Sequence, residues 1–363
     1  MAFWWKKSPK TPSDYVKLLT EQLTKFETSS NSDNRRKIQD DCSKYLTGTK
    51  HFILGETDPA PTSEAIEELY AAIYQSDLLY DLLIHFADLE FEARKDVALL
   101  FATCLRRSSD NKFTTVDYLV TKPRIISVLL RTAELSINKP NSNTIFLTVG
   151  GIVTECLKYE QLCRIIIKDP QLWRYFEFAL MGSFEISTES MQILNDVFTV
   201  HKKLVATEFF NQETNSQKFV HKINKLMAHG NYVTKRQSVK LLSTLILNRS
   251  NNQLMTAYIN SPENLKLIMI LLSDRSKNLQ IESFNVFKVF VANPRKSKPV
   301  MDILVKNRDK LLHYFEHFGS DSKDGTLSDE KEFVVQQIEI LPRLVSSNSE
   351  SSLGTSPQKN IAG

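Results

Sequence analysis

Five consecutive residues, His313-Tyr314-Phe315-Glu316-His317, match H-x-x-E-H, a pattern of one class of zinc hydrolases. On a helix, His313 and His317 stand one turn apart and share a face. A catalytic zinc also needs a third protein ligand and a concave site. Here the match ends an amphipathic segment, just before Gly319-Ser320-Asp321. The plainer reading is two solvent-facing histidines beside core Tyr314 or Phe315. Other catalytic patterns are missing: there is no G-x-G-x-x-G, Walker loop, G-x-S-x-G or kinase signature set. No EF-hand loop is present either. Cys156 and Cys163, seven apart, could share a helical face, but no histidine neighbours them, so they read as buried structural thiols.

A second group of residues suits binding rather than catalysis. Arg236 and Lys240 are four apart and share a helical face. Lys266 and Met269 are three apart on the next long helix. If the two faces meet in a groove between stacked helices, they form cationic walls over an adaptable apolar floor. Such a pocket fits a short peptide with an aromatic anchor and an acid, or a C-terminal carboxylate. Arginine supplies a bidentate fork, lysine a point charge and methionine a pliable surface. Equally, Met269 fits as core filler and the three cations as solvated charges. The surrounding charge is lopsided. Between Asn231 and Lys310 stand 14 Lys+Arg against 5 Asp+Glu, whereas the whole chain carries a net charge of only +4. A basic end suggests an acidic partner, with nucleic acid or anionic lipid as the alternative. A solvated lysine face explains the same numbers.

The elements that carry these residues read as helices throughout. Only 10 of 363 residues are glycine, too few for a strand-rich fold or for phosphate-cradling loops. Tyr15, Leu18, Leu19 and Leu23 repeat at helical spacing, and a second helix is expected from about Arg35 to Leu54. The segment from Gly55 to Ser63 is a loop. Beyond it, Val97–Leu105, Ile145–Leu157, Met191–Val200, Val239–Leu247 and Phe284–Val291 look like the central helices of successive units. Their spacing of about 45 to 50 residues is that of armadillo and HEAT arrays. The expected fold is therefore an all-α helical-repeat solenoid, a curved rod whose stacked units bury faces such as Phe284-Phe287-Phe290. Thr234 is expected to cap one helix in a capping box with Gln237, and Ser261 the next, ahead of Pro262. Residues 1–12 are expected as an extended lead-in, 13–342 as one repeat domain and 343–363 as a disordered polar tail. No apolar run reaches the ~20 residues of a membrane span. The four cysteines lack any C-x-x-C pair and fit a reduced cytoplasmic protein.

Longer stretches carry a resemblance. Asn231-Tyr-Val-Thr-Lys-Arg-Gln-Ser238, Ser261-Pro-Glu-Asn-Leu-Lys-Leu267, Asp274-Arg-Ser-Lys-Asn278 and Phe287-Lys-Val-Phe-Val-Ala-Asn-Pro294 are similar to the calcium-binding-protein-39 family. That family is also called the mouse-protein-25 or hymA-like family. Weaker similarity covers Lys7–Leu19, Asp88–Arg106 and Phe184–Phe210, so the resemblance spans the chain up to about Pro342. The Phe3-Trp-Trp-Lys-Lys7 start and the Ser/Asn-rich tail resemble the fungal branch. The resemblance implies a scaffold with no enzymatic activity and no cofactor. It implies a Ste20-type kinase or pseudokinase of the germinal-centre class on the concave face, held with its helix C in the active position. Phe184, Tyr232 and Arg249 correspond to the kinase-contacting positions. A partner's Trp-Glu-Phe-type tail would dock at Arg236, Lys240, Lys266 and Met269. Asn252 stands where animal relatives place a phenylalanine, which implies a weaker or retuned contact. In fungi the resemblance implies a role in polarised growth and cell separation, upstream of a nuclear-Dbf2-related kinase, at growth sites and the bud neck. It implies no nucleic-acid partner and no integral membrane association.

Overall fold

Helices with one wide apolar face cannot stand alone in water, and here they stack to bury it. The computed structural model describes residues 11–108, 112–136, 142–319 and 325–343. Residues 1–10 and 344–363, which hold most of the expected lead-in and tail, lie outside the described residues. Among the described residues there is no β-sheet.

One ladder of helices runs through the protein in chain order. Its rungs are Ser32–Leu54, Phe91–Arg106, Ser142–Leu157, Phe184–Thr199, Tyr232–Ile246, Lys277–Ala292 and Gly325–Glu339, and each packs on the next. They start about 40 to 60 residues apart, and from Ser142 onward the steps are close to the ~40–47 residues of armadillo and HEAT repeats. Three of the five central helices read from the sequence fall inside rungs of this ladder, and Met191–Val200 and Val239–Leu247 each overrun theirs by one residue. Neighbouring rungs run parallel. Ser187 pairs with Thr234 at 3.1 Å and Met191 with Ser238 at 3.8 Å, so both strands of contact advance in the same direction.

A second ladder lies behind the first. Pro12–Thr28, Arg124–Ser136, Arg174–Met181, Glu213–His229, Pro262–Leu272 and Arg308–His317 each pack against the rung that follows them in the chain. Shorter helices such as Glu160–Ile166 and Asn252–Ile259 turn the corners. The seam between the ladders is one continuous apolar core running from Val16 to Leu341. Phe284, Phe287, Phe290 and Val291 are all buried in it, as their spacing predicts. Fully burying each such side chain is worth ~1.5–3 kcal/mol.

The helix ends follow from local chemistry. The first helix starts at Pro12, just inside the expected lead-in, because Thr11 and Asp14 form a reciprocal capping box. Ser261 accepts the Asn264 N–H with Pro262 at the first helical position, as expected. The Lys277–Ala292 helix stops ahead of Asn293-Pro294. One sequence expectation fails here. Cys156 and Cys163 do not share a helix, because the chain turns between Leu157 and Glu160 and places Cys163 on the next element. Both thiols are nevertheless buried, as are Cys42 and Cys104.

Candidate functional site

The Tyr232–Ile246 rung carries the first two cations of the basic group, so its start decides their phase. Thr234 does not cap it. Asn231 is the N-cap, and its side-chain oxygen accepts the Thr234 N–H at 2.9 Å. Thr234 lies within the first turn, buried, with its hydroxyl 3.1 Å from that of Ser187. Asparagine caps at least as well as threonine. Gly230 lets the chain enter tightly, since a Cβ there would lie 2.6 Å from the Leu226 carbonyl oxygen and 2.8 Å from Thr234 Cγ2. Replacing Asn231 with alanine is expected to cost ~1 kcal/mol. A urea titration checks this, and an unchanged midpoint would reject Asn231 as the cap.

Arg236 reaches from this rung across to the next. Its terminal nitrogen stands 3.7 Å from a carboxylate oxygen of Glu282 on the Lys277–Ala292 rung. Its side chain is 40% exposed, while that of Glu282 is only 15% exposed. The Arg236 Nε is buried and has no hydrogen-bond partner among the described residues. Beyond the Glu282 contact, its terminal N–H donors make no hydrogen bond to the described residues. Lys240, one turn further on, is exposed and borders a groove on the other flank, against the Phe184–Thr199 rung.

Lys266 and Met269 sit on the Pro262–Leu272 helix, which packs on the Lys277–Ala292 rung. Lys266 is exposed. Its charge adds a small downward pull on the Glu263 carboxyl, which is held low mainly by its own backbone N–H and the Ser261 hydroxyl. Met269 is partly buried and packs against the core without being sealed inside it. Both helices thus lean on the same rung, Arg236 through Glu282 and Met269 through the core.

Phe184 and Tyr232 are the first residues of consecutive parallel rungs, so they lie side by side at one edge of the ladder. Both are exposed, Phe184 at 62% and Tyr232 at 47%. The Ser276 hydroxyl donates to the Tyr232 hydroxyl at 3.1 Å, which ties the ring to the next repeat. Hydrogen bonds from Ser276 and Asn278 hold the Tyr232 phenol below its usual range. Arg249 lies beyond the opposite end of the Tyr232–Ile246 rung, about 22 Å along a helix of that length. It is exposed, and Asn252, also exposed, stands one turn on in the short helix it opens. The three positions therefore bracket the width of the ladder.

Two features were not read from the sequence. The groove beside Lys240 holds about 200 Å³ and is polar, lined by Gln192, Asn195, Asn231 and Gln237. A larger groove of about 750 Å³ opens between the Lys277–Ala292 rung and the Arg308–His317 helix. Lys277, Ile281, Lys310, Tyr314 and Phe318 line it, and His313 and His317 stand on its rim. Its walls come from segments about thirty residues apart in the chain, which no local spacing reveals. His313, Glu316 and His317 are all exposed, and no further His, Cys, Asp or Glu joins them among the described residues. That is no buried catalytic zinc centre. Nor does it fit calcium, which takes six to eight oxygen ligands.

The Mo25-like family model matches residues 3–342. Protein HYM1 of Saccharomyces cerevisiae is 64% identical over 363 residues, covering 100% of this chain and 91% of that one. The Mo25-like protein of Schizosaccharomyces pombe is 37% identical, covering 94% and 100%. Calcium-binding protein 39-like of Homo sapiens is 37% identical, covering 93% and 97%. Among solved structures, a computationally designed armadillo repeat protein superposes with a TM-score of 0.43 at 12% identity, over 77% of this chain and 100% of the other. Among the described residues, no helix is long and apolar enough to cross a membrane.

Proposed function

The chain belongs to the Mo25-like family, and we propose that it is a non-catalytic scaffold that binds a Ste20-type kinase of the germinal-centre class and activates it allosterically. The observation that carries this reading is Arg236: a half-exposed guanidinium, held in place by the neighbouring rung, with its donors unspent. Such a group is poised for a carboxylate that arrives from outside. In the proposed arrangement a partner's Trp-Glu-Phe-type tail docks at Arg236, Lys240, Lys266 and Met269. The kinase domain rests on Phe184, Tyr232 and Arg249.

The physics is that of linkage. A scaffold shifts a kinase toward its active conformation only by the difference in its affinity for the two states. A packed helical ladder suits this, because the edge carrying Phe184 and Tyr232 is fixed before binding and pays little ordering cost. A tail tethered at a second point raises the effective concentration of the kinase domain at the ladder. Asn252 beside Arg249 offers no aromatic contact, so this contact is weaker than one made through phenylalanine. In this reading the complex acts upstream of a nuclear-Dbf2-related kinase in polarised growth and cell separation, in the cytoplasm near growth sites and the bud neck.

Affinity purification followed by mass spectrometry should recover a Ste20-type kinase. Adding the purified protein to that kinase should raise its phosphorylation rate. Binding with a flat rate would reduce the role to tethering, and recovery of no such kinase would reject the reading.

A further inference from the structure

His313, Glu316 and His317 are too exposed for a buried catalytic centre, but their geometry carries a different chemistry. All three project from one side of the Arg308–His317 helix into solvent. One ligand atom from each lies within 4.8 Å of the others. The two imidazoles are 5.7 Å apart between ring centres and nearly perpendicular, at 83°. His313 Nδ1 stands 2.9 Å from a Glu316 carboxylate oxygen. A carboxylate accepts only, so Nδ1 donates in this contact, and the neutral tautomer that fits it offers its lone pair at Nε2. Fixing a histidine's tautomer with a carboxylate is how metal-binding imidazoles are commonly prepared.

We propose that His313 and His317 chelate one divalent transition-metal ion of the zinc, nickel or copper class on the rim of the C-terminal groove, with Glu316 orienting His313. Two donors on a common ion with bonds of ~2.0–2.1 Å must stand roughly 3 Å apart. Both side chains are exposed, so rotation about their torsions brings His313 Nε2 and a ring nitrogen of His317 to that separation without disturbing the core. Two nitrogens select this class over calcium and magnesium, which prefer oxygen cages. Competing soft ligands are out of reach, because burial pushes the thiols of Cys42, Cys104, Cys156 and Cys163 up to about 12. The helix supplies two ligands, so the ion keeps open positions. It also adds positive charge to a groove already edged by Lys277 and Lys310. A carboxylate from a docked chain could then complete the coordination.

Titrating the full chain with Zn²⁺ against a chromophoric chelator tests this. The expected result is one saturable equivalent at micromolar affinity. His317→Ala should weaken it at least tenfold. Glu316→Gln should weaken it about tenfold, the lower end for losing an orienting partner. His229→Ala, an exposed histidine on another helix, should leave it unchanged. Ca²⁺ and Mg²⁺ should not compete. Saturation absent below about 1 mM, equal affinity in His317→Ala, or equal competition by Ca²⁺ would each overturn the proposal.

Discussion

Replacing Arg236 and Met269 together with alanine should abolish capture of a peptide ending in Trp-Glu-Phe, with at least a hundredfold loss of affinity by fluorescence anisotropy. The size follows from the two contributions. A desolvated arginine meeting a carboxylate and a large apolar contact are each typical hot spots, costing about 2 kcal/mol or more when truncated. Their sum of about 4 kcal/mol exceeds the ~2.7 kcal/mol of a hundredfold loss and leaves about 1 kcal/mol for non-additivity. Arg236 has an internal partner as well, which sets the necessary control. Removing it leaves the shielded Glu282 carboxylate without its cation, so some destabilisation is expected from that source alone. Glu282→Gln removes the same ion pair from the other side while keeping the guanidinium. It should retain peptide binding. Arg236→Lys should fall between, since the charge stays but the planar fork is lost. Undiminished binding in the double variant would place tail recognition elsewhere, and the groove between Lys277 and Lys310 would be the next candidate.

The parts of this protein that sequence made legible are those set by neighbours in the chain. Phe284, Phe287 and Phe290 announce a buried helical face because three- and four-residue spacing is itself the geometry of the helix. Ser261 with Pro262 announces a helix start for the same reason. Thr234 shows where such local rules run out. Asn231 and Thr234 are both good caps, three residues apart, and only the entry of the chain past Gly230 decides between them. The candidate site shows a further step of the same loss. Spacing correctly implies that Arg236 and Lys240 are a turn apart. It says nothing of which rung each will meet, and they turn out to border different ones. The separation of Tyr232 from Arg249 was implicit in a helix of known length, yet their roles came only from resemblance. The C-terminal groove was invisible because Lys277 and Lys310 are brought together by stacking alone.

The fold makes a second large prediction, at Phe198. This ring lies at the centre of a cluster with Phe176, Phe209, Phe210 and Phe219, at centre distances of 6.3, 5.2, 5.6 and 5.1 Å. Phe176 belongs to the helix behind the Phe184–Thr199 rung, whereas Phe209, Phe210 and Phe219 belong to the unit that follows. Phe198 is thus the seam between two repeats. Phe198→Ala should cost ~3–5 kcal/mol, because rings locked by one another cannot collapse into the cavity. Phe198→Leu, which keeps most of the volume, should cost less than ~1.5 kcal/mol. The manner of unfolding matters more than the amount. A single compact core would simply melt earlier. A repeat array is held by nearest-neighbour interfaces, so weakening a middle one uncouples the two ends. Phe198→Ala should therefore turn one calorimetric transition into two, with the helices from Glu213 onward melting separately. Capture of the Trp-Glu-Phe peptide, which depends on Arg236 and Met269 beyond the seam, should survive. Kinase binding, which in our reading needs Phe184 and Tyr232 in fixed register across the seam, should weaken. A single shifted transition with both activities falling together would mean that the rungs fold and fail as one body.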